Sequence, residues 1–212
     1  MFARFLDFLF PVRTDEEIVR EMTLEQFLSH LEPLLEERTS PAAVALFPFA
    51  DRKVRAVIHE AKYHGNAKAF DFLSAALVEY LRDAEETSEF GHPLFEGHQI
   101  SLIPIPLGAK RRKGRGFNQV EEVARRASKE LDVVLVTNLL IRTRETASQV
   151  SLPRAARAKN MRGAFSTTRR ADPNHTYIVI DDVTTTGATL SAALSALKSA
   201  GALTILPIAL AH

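Results

Sequence analysis

Two adjacent aspartates, Asp181 and Asp182, interrupt an apolar run in the segment YIVIDDVTTTGATLSAAL (177–194). The apolar residues predict a buried strand, and TLSAALSALKSAG (189–201) has the pattern of a helix that is capped at Gly201. Ligands of an open parallel sheet bind beyond the carboxyl ends of its strands. Because a core strand has no structural need to end on two charges, we interpret this strand end as a binding site.

The loop between this strand and this helix has the composition of a phosphate site. Backbone N–H groups before a helix attract an anion, and Gly187 lets the backbone approach it closely. Hydroxyl donors come from Thr184, Thr185, Thr186 and Thr189. The aspartates instead accept hydrogen bonds from hydroxyl groups, or hold Mg²⁺ through water. Ribose 5-phosphate carries both kinds of group. A capped helix alone would explain one threonine and one aspartate, but not both aspartates with TTTGAT.

A second predicted strand end is followed by concentrated positive charge. In IPIPLGAKRRKGRGFNQ (103–119), five of the seven residues from 109 to 115 are Lys or Arg. Such a loop suits a pyrophosphate, because arginine makes bidentate contacts with phosphate. The alternative is a solvated patch or a patch that contacts nucleic acid.

The charge of the whole chain is unevenly distributed. Residues 110–170 hold 16 Lys+Arg and 5 Asp+Glu, whereas the other residues hold 11 and 21. This basic segment implies an anionic partner, or else a basic face that acidic elements balance. The chain has no cysteine, which excludes disulfides, thiolate zinc sites and a cysteine nucleophile. The opening MFARFLDFLF is too short to span a bilayer, so we expect an amphipathic helix, no membrane insertion and a cytoplasmic protein.

The order of predicted elements favours an α/β fold. Strands are predicted at 100–106, within 132–143, at 176–180 and at 202–210, and helices at 14–37, 52–66, 71–83, 119–131 and 189–201. Both TDEE (14–17) and TLEQ (23–26) fit a capping box. Residues 39–51 are interpreted as a connector, residues 83–99 as a polar loop and LGAKRRKGRGFN (107–118) as a basic loop. Strand–helix alternation predicts a parallel sheet flanked by helices. We predict a helical N-terminal segment at 1–50 and a main domain at 51–212.

The segment 177–189 resembles the ribose-phosphate signature of type I phosphoribosyltransferases: four apolar residues, two acidic residues, then a loop rich in threonine and glycine. Further segments narrow the resemblance to the ComF-like branch, which is tied to DNA uptake in competent bacteria. These segments are AKYHG (61–65), PIPL…RRKGRGFNQ (104–119) and RTRETASQ…R…N…GAF (142–165), with FLDFLFP near the start. The similarity covers roughly residues 47–212 and implies a sheet of phosphoribosyltransferase type.

The resemblance also implies site residues. Asp181, Asp182 and Arg115 would be catalytic, with the two aspartates also holding Mg²⁺ indirectly. The 5-phosphate would bind at Val183, Thr184, Thr185, Thr186, Gly187, Ala188 and Thr189. The pyrophosphate side would be formed by Arg112, Gly114, Arg115, Gly116, Asn118 and Gln119. A closing loop would carry Arg142, Arg144, Thr146 and Gln149, and Lys62 would approach the same cleft. A basic surface arm is the alternative for residues 142–170.

One departure from the family is clear. Many ComF-like proteins carry a cysteine-rich zinc module after the LFP segment, and this chain has no cysteine. A helix-rich stretch at 12–46 stands in its place. We therefore expect no zinc at this position, and any partner contact made by that module is in doubt.

The resemblance implies a Mg²⁺-dependent transfer of the phosphoribosyl group from 5-phosphoribosyl 1-diphosphate to a nitrogen acceptor. The alternative is a non-catalytic sensor or DNA-uptake protein that binds single-stranded DNA through its basic segment. Pyrophosphate transfer ranks last, because no ATP-binding segment is evident. A homodimer is the candidate assembly. His59 and His64 are interpreted as surface or hydrogen-bonded residues rather than acid–base groups, and Tyr63 as packing rather than base stacking.

Overall fold

A mostly parallel sheet of six strands organises the protein. The computed structural model describes residues 13–37, 39, 41–87, 99–144, 161 and 163–212. Their strands are β1 (Leu34–Glu36), β2 (Ala43–Phe47), β3 (Gln99–Pro104), β4 (Val134–Leu135), β5 (Leu140–Arg142), β6 (Phe165–Thr167), β7 (His175–Val183) and β8 (Thr204–Ala211). The sheet order is β1-β2-β8-β7-β3-β4, and β5 and β6 form a separate antiparallel pair. Only β1 runs antiparallel to its neighbour within the six.

Helices cover both faces of this sheet, as the strand–helix alternation predicts. The helices of the described residues are α1 (Thr14–Glu21), α2 (Leu24–Leu28), α3 (Arg52–His59), α4 (Ala67–Glu86), α5 (Ala109–Arg115), α6 (Gln119–Leu131) and α7 (Ala188–Ser199). One core joins α1–α4 and α6 to Ile178 and Ile180 of β7. A second core joins α7 and the β5–β6 pair to Tyr177 and Val179. The α/β fold with a mostly parallel sheet is therefore confirmed.

Strand β7 lies in the centre and carries the site residues. It pairs in parallel with β3 and with β8, and Asp181 is in register with Ala209. Successive side chains of a strand point to opposite faces. Asp182 therefore shares the face of Ile178 and Ile180, and Asp181 shares the face of α7.

The N-terminal segment differs from its prediction. Helix α1 has no side-chain cap at Arg13, so the TDEE capping box is wrong. The second box is confirmed, since Thr23 and Gln26 exchange hydrogen bonds of 3.2 and 2.9 Å. Beyond Leu28 the chain is not helical: β1 pairs with β2, because tertiary pairing outweighs a helical apolar pattern.

Residues 39–51 contain a strand rather than a mere connector. Strand β2 is buried at all five positions and pairs with β8. A strand that is buried on both faces shows no alternation of apolar and polar residues, so the pattern of a strand is absent here. The flanking prolines, Pro41 and Pro48, instead suggested a connector. Strands on both sides of the predicted boundary at residues 50 and 51 thus share one sheet.

Two helices also differ from their predictions. The predicted basic loop contains helix α5, which ends at Gly116 with a φ of 84°. Lys and Arg are good helix formers, and every residue of α5 is at least partly exposed. Helix α4 extends beyond 71–83 in both directions. Helix α6 and the closure of the 52–66 helix at Gly65 are confirmed, although its last turn, Glu60–His64, is π-helical.

Three stretches of the prediction lie outside the described residues, namely the opening segment, most of the 83–99 loop and residues 145–160 of the basic segment 142–170. Among the helices that the model describes, none has the length and apolar character needed to cross a membrane.

Candidate functional site

A cleft of about 440 Å³ opens at the carboxyl ends of β3 and β7. Its acidic floor is Asp181 and Asp182. Val183, Thr185 and Thr189 line it from the end of β7, the loop after β7 and the start of α7. The opposite wall comes from the π-helical turn, α5 and α6, and Arg142 contributes from β5. These wall residues are Lys62, Tyr63, Arg111, Arg115, Gln119 and Val120, while Phe49, Ile105, Pro106 and Leu107 complete the lining.

The two aspartates have different surroundings. Asp182 receives Lys62 Nζ at 2.8 Å and Gln119 Nε2 at 2.7 Å, both on its Oδ2 atom. Its Oδ1 accepts the backbone N–H of Val183 at 2.8 Å. Asp181 is only 8% exposed, and its Oδ1 accepts the backbone N–H of Asp182.

These surroundings separate the acidities of the pair. Burial, and then the neighbouring charge of Asp182, raise the pKa of Asp181 to about 7. Burial also disfavours ionised Asp182, but the charge and hydrogen bond of Lys62 outweigh it and lower its pKa. Burial alone would lower the pKa of Lys62. The charge of Asp182 and its hydrogen bond to Lys62 outweigh this effect, so the pKa of the Lys62 ammonium group is raised. Near neutral pH the floor therefore holds an ionised aspartate beside one that is partly protonated.

Residues at the start of α6 position this ion pair. Asn118 caps the helix through the N–H of Val120, and its Nδ2 donates to Ile105 O at 3.0 Å. Arg115 donates to Gln119 Oε1, which leaves Gln119 Nε2 to face Asp182. Burial lowers the pKa of Arg115. The prediction that Asn118 and Gln119 belong to the same motif is consistent with these contacts, although only Gln119 lines the cleft.

The π-helical turn presents Lys62 and Tyr63. Its first residue, Glu60, is fully buried and accepts two hydrogen bonds from Arg13, at 3.3 and 3.2 Å. Asn66 Nδ2 donates to the same carboxylate at 3.2 Å. Gly65 ends the turn with a φ of 62°. π-Helical turns are frequent at functional sites, and this one places Lys62 in the lining of the cleft.

The threonine loop is divided between two environments. Thr185 and Thr189 line the cleft, whereas Thr184 is buried and its N–H donates to Ala211 O at 2.9 Å. Thr186 and Ala188 line a separate groove of about 560 Å³ between α7 and the β6 side. Gly187 is the N-cap residue of α7 and has a φ of 68°. Because glycine has no side chain, the first N–H groups of α7 receive no side-chain cap from this residue.

Several predicted pyrophosphate residues lie outside the cleft. Arg112 faces Glu121 at 3.8 Å, and neither Gly114 nor Gly116 is among the lining residues. Arg115, which was predicted, and Arg111, which was not, line the cleft. They lie one helical turn apart on the same side of α5. Arg142 lines it and also packs over Phe165, whereas Arg144 does not line it. Thr146 and Gln149 lie outside the described residues.

The sequence interpretation missed the exposure of Tyr63, which lines the cleft and is 56% exposed. The motif AKYHG contained the signal, because an aromatic residue between two basic residues before a glycine suits a surface turn. The histidines behave as expected. His59 pairs with Asp15 at 3.0 Å and His64 lies 3.9 Å from Glu60, and neither lines the cleft.

The floor of the cleft fits a divalent cation only when a bound ligand supplies further oxygen atoms to the ion. Across the described parts of the chain, no three His, Cys, Asp or Glu side chains are arranged to hold a metal ion. Asp181 and Asp182 are two carboxylates, and Lys62 already neutralises one of them. This donor set suits Mg²⁺ that is held through water and completed by phosphate or hydroxyl oxygens of a ligand.

The chain is similar to proteins that are named for competence and for DNA utilization. The chain is 30% identical over 131 residues to Competence protein F of Haemophilus influenzae, which covers 61% of this chain and 55% of that protein. It is 29% identical over 149 residues to DNA utilization protein YhgH of Escherichia coli O157:H7, covering 70% and 63%. The protein of the same name from Salmonella typhi is 26% identical over 149 residues, with the same shares. No protein-family model matches the chain.

The matched stretches span between 55% and 63% of the length of these curated relatives. Their names support the ComF-like part of the resemblance. The phosphoribosyltransferase assignment stays a prediction.

Proposed function

We propose that the cleft binds 5-phosphoribosyl 1-diphosphate with Mg²⁺ and transfers its phosphoribosyl group to a nitrogen acceptor. The observation that carries this proposal is the position of Asp181 and Asp182. They end a central strand between an uncapped helix start on one side and a cationic wall on the other.

Each part of this ligand has a counterpart in the cleft. The carboxylates accept hydrogen bonds from the ribose hydroxyl groups. The N–H groups at the start of α7, with Thr185 and Thr189, receive the 5-phosphate. Arg111, Arg115 and Arg142 supply positive charge for the diphosphate. When bound, Mg²⁺ would neutralise diphosphate oxygens while Asp181 and Asp182 hold it through water.

Lys62 and Gln119 occupy the carboxylate atom that a ribose hydroxyl would use. We therefore expect ligand binding to shift Lys62 from Asp182 toward the diphosphate, where its charge remains useful. In the reaction, the bond from C1 to the diphosphate oxygen breaks and a bond from C1 to nitrogen forms. Pyrophosphate leaves with the bonding electrons, and the acceptor nitrogen loses its proton to solvent or to the released pyrophosphate. Positive charge develops on the ribose, so fixed negative groups below it lower the barrier.

The transfer is tested by pyrophosphate release from 5-phosphoribosyl 1-diphosphate, with Mg²⁺ and a panel of nitrogen acceptors. We expect release that requires one acceptor and is lost in the Asp181→Asn/Asp182→Asn variant. Asp132→Asn, an exposed change of the same chemistry, is the matched control. Release that persists in the double variant would contradict the assignment of these residues.

A non-catalytic role in DNA use is the second candidate, and the relatives favour it. The relatives carry two names, one for competence and one for DNA utilization, and neither name mentions group transfer. The exposed residues Lys110, Arg111, Arg112 and Lys113 of α5 form a cationic surface at the mouth of the cleft. We propose that this α5 surface contacts the phosphates of single-stranded DNA. DNA binding that survives Asp181→Asn/Asp182→Asn would place the two ligands on separate surfaces.

A further inference from the structure

Tyr63 is exposed at a place where an aromatic ring has a use. The chain has three tyrosines and no tryptophan. Tyr80 and Tyr177 are each 3% exposed, whereas Tyr63 is 56% exposed and lines the cleft. Tyrosine rings bury large apolar surfaces when they pack. The exposure of this ring therefore contradicts the interpretation of Tyr63 as packing.

The ring is nevertheless held in place. The His59 ring lies 4.6 Å from it, centroid to centroid, and the Arg115 guanidinium lies 5.5 Å from its centroid. Its backbone belongs to the π-helical turn that Glu60 anchors to Arg13. A side chain that is ordered before binding loses little conformational entropy when a ligand stacks on it.

The position of the ring relative to the carboxylates identifies which part of a ligand it would meet. Its neighbour Lys62 contacts Asp182 from the α3 and α6 side of the sheet. The threonine loop leads into α7 on the other side. In the proposed pose, with the ribose hydroxyls on the carboxylates and the 5-phosphate on the loop, the C1 end would lie toward the wall that contains Tyr63.

We propose that Tyr63, with Arg115 beside it, is a stacking platform for a planar heteroaromatic base. This inference rests on the proposed ribose-phosphate site and adds the chemical class of the group next to C1. The same chemistry is available from a mononucleotide or its free base, and from a base of single-stranded DNA. Aromatic side chains accept every base, because each base has a π-face.

Calorimetric titrations separate the contribution of the ring from that of the ribose phosphate. The probes are ribose 5-phosphate, adenosine 5′-monophosphate and a single-stranded oligothymidylate. The variants are Tyr63→Ala, which removes the ring, and Tyr63→Phe, which keeps it. Leu203→Ala is the control, because Leu203 is the most exposed large apolar residue of the described chain and is not a lining residue. Since Tyr63 is exposed, all variants should keep the circular dichroism and melting of the parent.

We expect the monophosphate to bind more tightly than ribose 5-phosphate. Tyr63→Ala should weaken the binding of at least one base-containing probe by about 5- to 100-fold. It should change ribose 5-phosphate binding by less than two-fold, and Tyr63→Phe should restore the parent affinity. A loss confined to the monophosphate identifies a nucleotide base, and a loss confined to the oligothymidylate identifies a DNA base. Stacking is overturned if Tyr63→Ala weakens no base-containing probe, or weakens ribose 5-phosphate equally.

Failure of the ribose-phosphate site gives a different result. In that case the parent protein would bind neither ribose 5-phosphate nor 5-phosphoribosyl 1-diphosphate, and the oligothymidylate arm alone would decide the role of Tyr63. The absence of tryptophan provides a second readout, because a stacked base should quench the emission of Tyr63 and leave that of the buried tyrosines.

Discussion

At the residue scale, Asp181 is the side chain whose burial is hardest to explain by stability. Its pKa, raised to about 7 by burial and by Asp182, lies above the ordinary value of 3.8. The folded state therefore binds this proton more tightly than the unfolded state, and stability falls as pH rises from about 4 to about 7. Such a cost is typical of functional sites, where residues are held for a ligand rather than for the fold.

Asp181→Asn should therefore stabilise the protein at pH 8 relative to the parent, and much less at pH 4. The upper limit of the gain is roughly 4 kcal/mol, since each pKa unit corresponds to about 1.4 kcal/mol. Thermal melts of the variant and parent at both pH values check this prediction. Asp83→Asn, at an exposed aspartate of α4, controls for the chemical change. An equal difference in melting temperature at pH 4 and pH 8 would contradict the assigned burial cost.

Lys62 provides a second prediction at this scale. Lys62→Met removes the charge that keeps Asp182 ionised while leaving its burial, so the pKa of Asp182 should rise. Lys62→Arg keeps the charge and is the matched control. Carbon-13 NMR titration of the aspartate carboxyl groups measures the change. An Asp182 titration that is the same in Lys62→Met as in the parent would show that the ion pair does not form in solution.

At the scale of elements, the π-helical turn depends on Gly65. Its φ of 62° is unfavourable for other residues, and an added Cβ would lie 3.4 Å from the Phe117 ring. Gly65→Ala should destabilise the fold by about 1 to 2 kcal/mol. Gly114→Ala is the control, because Gly114 is in α5 with ordinary φ and nothing within 4 Å of an added Cβ. Alanine there should be neutral or stabilising.

Denaturant unfolding of both glycine variants measures these effects. The same loss of stability in Gly65→Ala and Gly114→Ala would mean that the left-handed conformation at Gly65 is not required. A selective loss in Gly65→Ala should be accompanied by weaker binding of 5-phosphoribosyl 1-diphosphate, because the turn carries Lys62, whose charge is proposed to meet the diphosphate.

Sequence patterns predicted the elements whose signals are local. The apolar run before Asp181, the periodicity of α6 and the glycine after the π-helical turn each sufficed. Strands β1 and β2 could not be predicted in the same way. Their formation depends on the pairing of β2 with β8, and these two strands are distant in sequence. Arg111 and Arg115 line the cleft and Arg112 does not. This difference depends on how α5 packs near α6, which the sequence pattern does not indicate. Exposure of Tyr63 likewise follows from tertiary packing, although the motif AKYHG carried a signal for a surface turn.

At the scale of the whole molecule, the uneven charge separates the two candidate functions. Reversing Arg111, Arg112 and Lys113 to glutamate should weaken binding of single-stranded DNA. If each residue contacts one phosphate, the negative slope of log affinity against log salt concentration should become shallower by about 2. Reversal of Arg52, Lys53 and Arg55, three exposed residues of α3, gives the same net charge and is the control. Fluorescence anisotropy at several salt concentrations measures both slopes.

Equal losses in the two triple variants would assign DNA binding to net charge rather than to the α5 surface. An unchanged slope in the α5 variant would exclude this surface as a phosphate contact. Neither result tests the carboxylates of the cleft, because Asp181 and Asp182 belong to neither variant.

The most direct test of the central claim is a calorimetric titration of the protein with 5-phosphoribosyl 1-diphosphate, with and without Mg²⁺. We predict micromolar or tighter binding, about −8 kcal/mol or better, that requires Mg²⁺ and is lost in Asp181→Asn/Asp182→Asn. Absence of binding in both conditions would contradict the ribose-phosphate assignment and leave DNA as the ligand to pursue.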